Sequence, residues 1–240
     1  MHSWTFSVQA HFKKWYAHSA DMSNSNDFTR AAGRFAPTAL YDSGVALLTR
    51  EEVWRNELLR MLSPLPGETI LDVGCGTGSL AILLKEAQPE AHITGLDPDS
   101  EALIIAERKA DAAGVSISWR QGFAHDAANL GVFDKVVSSL VFHQVSLDGK
   151  QSGIAAMFAA TRPEAWFASP IMPSKAHGIC GKHLIDGRTN TQLNADGFIE
   201  NELGAITGSS ILPAYAINTP TGTISIFCMT KLKSSERSSI

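Results

Sequence analysis

Apolar and polar positions switch between two periods along the middle of the chain, and the switches mark out its elements. Thr69-Ile70-Leu71-Asp72-Val73 is a short apolar run of β-formers, which predicts a buried strand. It turns through Gly74, Gly76 and Gly78 and re-emerges as Ser79-Leu80-Ala81-Ile82-Leu83-Leu84-Lys85, a helix. Ala91 to Asp99 reads as the next strand, centred on Ile93 to Leu96 and ending in the acid Asp97. A helix is predicted from Asp99 to Ala113, with Asp99 as its N-cap and Gly114 as its stop. Strands follow over Ser116 to Gln121 and Phe133 to Phe142, the latter apolar on both faces as a central parallel strand should be. Ser152 to Thr161 reads as a helix and Trp166 to Ser169 as the fifth strand, with a turn at Arg162-Pro163-Glu164-Ala165 between them. Gly222 to Met229 is a strong β run, preceded by a strand somewhere within Ile199 to Ile217. Strand and helix alternating at this pace predict βαβ units, hence an α/β fold with a parallel sheet.

Ahead of this region, Thr49 and Glu52 form a capping box that opens a helix with Val53, Trp54, Leu58, Leu59 and Leu62 as its apolar set. That helix stops at Pro64-Leu65-Pro66-Gly67. Residues 1–48 concentrate aromatics, with Phe12, Trp15, Tyr16 and Ser19 at helical spacing, and a polar break from Asp21 to Asp27. The expected organisation is an N-terminal helical segment over 1–48, one α/β domain over 49–233 and a frayed tail over 234–240.

Composition narrows the classes. Hydrophobic residues make up 44% and charged residues 18% of the 240, enough for a core in an ordinary soluble domain. A net charge of -4 gives no electrostatic reason to expect nucleic acid or an anionic membrane as partner. No apolar run approaches the ~20 residues of a membrane span. The three cysteines, Cys75, Cys180 and Cys228, are odd in number and far apart, which argues against a disulfide framework and for the cytoplasm. His177, Cys180 and His183 supply too few ligands for a zinc site without a companion cluster, so that stretch is read as a glycine-rich loop and no metal is expected.

The chemistry begins at the glycine turn. Strand, glycine turn and helix form a geometry that brings backbone N–H groups close to a ligand. Asp72 at the end of the strand would repel a pyrophosphate but suits a ligand carrying an ammonium group. The spacing G-x-G-x-G also departs from the dinucleotide fingerprint, which would need Gly or Ala at Ser79. Asp97 falls ~20 residues on, where a ribose diol would sit. Leu71-Asp72-Val73-Gly74-Cys75-Gly76-Thr77-Gly78, followed by Gly95-Leu96-Asp97-Pro98, resembles the first motif and acidic partner of class I S-adenosylmethionine-dependent methyltransferases. The similarity runs well from about Pro64 to Phe142, quinone-pathway and natural-product enzymes being the nearest in kind.

The resemblance implies a doubly wound, mostly parallel seven-stranded sheet with an N-terminal helical lid, and S-adenosylmethionine as cofactor. It assigns the cofactor to Tyr41, Asp72, Gly74, Cys75, Gly76, Gly78, Asp97, Pro98, Gly122, Phe123, Ala124 and Ser139. Asp72 would meet the ammonium and Asp97 both ribose hydroxyls, while a Cβ at Gly76 should clash. Many relatives carry an acid at the position of Phe123 to bond the adenine amino group. Either Asp126 substitutes, or stacking and backbone contacts suffice. His143, beside Phe142 at the end of the fourth strand, is the group suited to take a proton from an acceptor near neutral pH. It could equally cap the next helix. The N-terminal aromatics could form the lid, cover a sheet face or meet an oligomer partner, and as a lid they would suit an apolar or aromatic small-molecule acceptor. Two function classes stay open: methyl transfer to a small molecule, or binding of the cofactor without methylation. A nicotinamide oxidoreductase shares the fold but not the glycine spacing.

Overall fold

The computed structural model describes residues 51–139, 147–171, 215–219 and 222–230. Among them the chain runs α1 (Glu51–Leu62), β1 (Thr69–Val73), α2 (Ser79–Ala87), β2 (His92–Asp97), α3 (Ser100–Ala113), β3 (Ser118–Gln121), a short 3-10 helix (Ala124–Leu130), β4 (Phe133–Ser138), α4 (Leu147–Ala160), β5 (Thr161–Ile171), β6 (Tyr215–Thr219) and β7 (Gly222–Thr230). The strands form one sheet in the order β3-β2-β1-β4-β5-β7-β6. Pairings from β3 to β5 are parallel, and β7 lies antiparallel to both β5 and β6. The order reverses at β1, so a crevice opens between the loops after β1 and β4, where ligands bind in open α/β sheets.

Alternation along β1 splits the core into two layers. Ile70 joins Trp54, Leu58 and Leu62 of α1, Leu80 and Leu84 of α2, and Val137. Leu71 and Val73 join Val136, Phe133, and Ile154 and Met157 of α4 on the opposite face. Both faces of the strand are therefore covered, which is why its sequence reads as one apolar run. Asp72 falls on the α1 side with Ile70. Val53, placed in the apolar set of α1 from its sequence, is instead exposed: Trp54, Leu58 and Leu62 already fill the buried stripe at i, i+4 and i+8.

Caps set the helix ends where side chains announce them. Asp99 accepts from the N–H groups of Glu101 and Ala102, and Gly114 closes α3 at φ 69°. Several boundaries differ from the sequence reading, β4 among them, which ends at Ser138 rather than Phe142. Strand β3 starts at Ser118 rather than Ser116, and α4 starts five residues before Ser152. The turn expected at Arg162 to Ala165 is absent. Thr161 Oγ1–H donates to the Met157 carbonyl at 2.8 Å, closing α4, and the same residue pairs with Phe133 as the first of β5. The next pair is Lys135 with Trp166, so residues 162–165 are taken up as an irregularity in the strand opposite Asp134.

The amino edge of the sheet is stitched by charge. Asp134 accepts from the Thr69 N–H at 2.9 Å and from Thr69 Oγ1–H at 2.8 Å, and pairs with Arg162. Burial works to raise its pKa, but these partners together hold it below the ordinary carboxylate value. Beside it, the buried Lys135 ammonium bonds Glu68 and the Ser63 carbonyl. The residues 1–48, the segment 171–197 beyond Ile171 and the tail lie outside the described residues, as does Thr49 of the capping box.

Candidate functional site

Three glycines build the turn after β1, and each has a positive φ: 71° at Gly74, 53° at Gly76 and 75° at Gly78. L side chains avoid that region at a cost of about 1–2 kcal/mol. The turn folds onto the end of β2: the N–H groups of Gly74 and Cys75 both donate to the Leu96 carbonyl, at 2.7 and 3.1 Å. Gly78 N–H donates back to the Cys75 carbonyl at 2.9 Å. Gly76 N–H donates to Asp97 Oδ2 at 2.8 Å. All four N–H groups are thus consumed within the protein. These four bonds fasten the turn, while the first-turn N–H groups of α2, Ser79 to Ala81, have no acceptor within the helix.

The room is at Gly76. A Cβ built there meets no protein atom within 4 Å, so within the protein what restricts this position is its φ, and the space beside it is open. Gly78 differs. A Cβ there would lie 2.6 Å from Trp119 Cη2 and 2.9 Å from Ala106 Cβ, and one on Gly95 would lie 2.5 Å from the Trp119 ring. Trp119, on β3, is the wedge that both glycines accommodate, and the sequence reading did not single it out. Cys75 is buried, and burial first, then the nearby Asp72 and Asp97, pushes its thiol pKa well up. It packs the turn and has neither a free N–H nor a thiolate to offer.

Asp97 is the hub. Its Oδ2 holds Gly76, its Oδ1 accepts from the Asp99 N–H at 2.9 Å, and its carbonyl accepts from the Gly122 N–H at 3.1 Å. One acid therefore ties together the glycine turn, the start of α3 and the loop after β3. Each carboxylate oxygen keeps a second acceptor site, which a ribose hydroxyl can use. Burial raises its pKa, against the lowering effect of the two N–H bonds.

Asp72 is fully buried, and neither carboxylate oxygen has a hydrogen-bond partner. Burial pushes its pKa from 3.8 up to about 7; the Arg55 guanidinium of α1 pulls the other way, and Asp97 adds to the rise. A buried carboxyl with unused acceptors is costly and suits a cation with N–H donors. An ammonium group meets that need, and a ribose diol meets the spare acceptors of Asp97. The residues fit a cofactor carrying both.

Toward β3, Phe123 is 45% exposed and its ring stacks on His125, centroids 5.5 Å apart. Asp126 accepts from the Phe123 N–H through Oδ2 at 2.8 Å, so half of the proposed substitute acid already serves the backbone. Pro98 accepts from Gln121 Nε2 through its carbonyl, and Ala124 opens the 3-10 helix. Ser139 is half-buried just past β4. Tyr41, Phe142 and His143 lie outside the described residues, as do His177, Cys180 and His183. Among the described residues no three His, Cys, Asp or Glu side chains group as metal ligands.

Over residues 70–164 the chain matches a family described as a methyltransferase domain. This stretch is similar to class I methyltransferase domains. It is 41% identical over 88 residues to the ubiquinone biosynthesis O-methyltransferase of Azorhizobium caulinodans, covering 36% of this chain and 34% of that one. The demethylmenaquinone methyltransferase of Thermus thermophilus is 36% identical over 93 residues, covering 37% of this chain and 41% of the relative. The matched stretch spans less than half the length of either relative. Among solved structures, magnesium protoporphyrin IX methyltransferase from Synechocystis PCC 6803 with bound SAH has a TM-score of 0.59 at 18% identity, covering 95% of this chain and 96% of that one. At that identity the likeness shows the fold of the methyltransferase domain. No described helix is long and apolar enough to cross a membrane.

Proposed function

We propose that the protein is an S-adenosylmethionine-dependent methyltransferase that transfers a methyl group to a small-molecule acceptor. The observation that carries the reading is the orphaned carboxyl of Asp72 at the base of an open glycine turn whose far side is fastened to Asp97. Asp72 holds the ammonium of the cofactor, Asp97 its ribose hydroxyls, and the space at Gly76 admits its chain. Gly74, Gly78 and Cys75 shape the turn. Pro98, Gly122, Phe123 and Ala124 bracket the adenine, with Phe123 acting by stacking, and Tyr41 and Ser139 contact the methionine end. The bound cofactor supplies a methyl group on a sulfonium, for which the protein mainly aligns the acceptor and excludes water. His143 takes the acceptor proton.

The relatives named above act, by their names, on quinone precursors and a porphyrin, which supports a small and largely apolar acceptor. The aromatics of residues 1–48 suit the same class as part of a helical lid that completes the seven-stranded fold; they also leave room for a homo-oligomer contact. Cysteine usage supports the cytoplasm, Cys75 being a free buried thiol. None of the named relatives binds the cofactor without methylating by its name, so that reading gains no support. Calorimetric titration with S-adenosylmethionine and S-adenosylhomocysteine tests the site, and release of S-adenosylhomocysteine with a mass gain on a quinol or phenol tests the activity. Absence of binding by either compound overturns the proposal.

A further inference from the structure

The glycine turn is backed by α3, and one side chain of that helix reaches into it. Lys109 Nζ donates to Ser79 Oγ at 2.7 Å and to Thr77 Oγ1 at 3.1 Å. These two hydroxyls flank Gly78, the left-handed N-cap of α2, which has no side-chain cap bond of its own. Thr77 is buried, and α3 packs Ala102, Ala106 and Ala110 inward so closely that Ala106 excludes a Cβ at Gly78. Left alone, a serine and a threonine beside a left-handed residue bond their own backbone and compete with the turn. The Lys109 ammonium gives each hydroxyl a partner outside the turn. Bonds to a charged donor are about twice as strong as neutral ones.

We infer that Lys109 is a positioning residue: it fixes the Thr77-Gly78-Ser79 exit of the turn on α3 and so holds Gly76 against Asp97 in the geometry that receives the cofactor. The inference rests on the reading of the glycine turn as the S-adenosylmethionine site. Lys109 has no contact with the ligand in this account. Its effect travels through two hydroxyls and a backbone.

The test is calorimetric titration of S-adenosylhomocysteine into the full chain and its variants. K109M is expected to weaken binding about tenfold, the loss of charge-assisted bonds, while far-UV circular dichroism stays unchanged. K109R is expected to restore most of the affinity, since a guanidinium can reach both oxygens. The double variant T77V/S79A is expected to reproduce the loss, and adding K109M to it to cost nothing more. A lysine acting apart from these two hydroxyls would give losses that add. Equal affinity of K109M and the parent overturns the inference and leaves the cofactor reading standing; no binding by the parent overturns both. Should K109M not fold, T77V/S79A decides alone: unchanged affinity in it refutes the role.

Discussion

Asp72→Asn separates the stability of the fold from its function. The carboxyl is fully buried with both oxygens unpaired, and its pKa rises from 3.8 to about 7. Below the ordinary value both folded and unfolded chains hold the proton, and the group costs nothing through ionisation. Between about 4 and 7 the folded state keeps a proton that the unfolded state has lost, so stability falls as pH rises. Above 7 the full penalty is present. At about 1.36 kcal/mol per pH unit, a rise of roughly 3 units sets a ceiling of about 4 kcal/mol. The amide cannot ionise, so Asp72→Asn should match the parent near pH 4 and exceed it by up to that ceiling at pH 8. The same variant should lose most of its affinity for S-adenosylhomocysteine, whose ammonium would no longer meet a charge. Urea unfolding of both proteins from pH 4.5 to 8, followed by calorimetry, measures both quantities. A variant less stable than the parent at pH 8, or a stability difference independent of pH, would refute the reasoning.

Asp97→Ala should weaken cofactor binding by ~1–3 kcal/mol, and Asp97→Asn by less; calorimetry of both checks it, and equal affinity would remove the ribose role. His143→Ala should bind S-adenosylhomocysteine normally and turn over slowly, and a variant as active as the parent would exclude it as the base. Gly95→Ala should destabilise the fold by driving a Cβ to 2.5 Å from Trp119. Thermal melting of the variant, with Trp119→Phe as partial rescue, measures it. Burial pulls the fully buried Lys150 of α4 down from 10.5 to about 7. Because its folded pKa is depressed, the parent should gain stability as pH rises from 7 toward 10.5. Lys150→Met should flatten that rise, and a parent whose melting point falls across this range at the same rate as the variant would contradict it.

What the sequence made legible was local. Asp99 and Gly114 end α3 because cap chemistry acts within a few residues, and the glycine turn announced itself by spacing. Strands with both faces covered were readable as apolar runs. Trp119 escaped because its partners, Gly78 and Gly95, lie on two other segments, and only the sheet order brings the three together. Their coincidence, two small residues and one large ring in consecutive units, was the available signal. Pro163 suggested a turn where Thr161 instead closes a helix and opens a strand in one residue. Whether the N–H groups of a glycine turn face a ligand or the protein depends on where Leu96 and Asp97 arrive, which no local pattern contains. Asp97 stood out as the acid that ends β2, but not as the fastening of three loops.

The stitching of the amino edge, by Asp134 with Thr69 and Arg162 and by Lys135 with Glu68 and Ser63, has a consequence at the other end of the sheet. None of these residues belongs to the candidate site, so the rigidity of the central strands is secured without drawing on the loops that face a ligand. The glycine turn and the residues around Asp97 can then be altered for binding while the pairing of β1 with β4 keeps its anchors at the opposite edge.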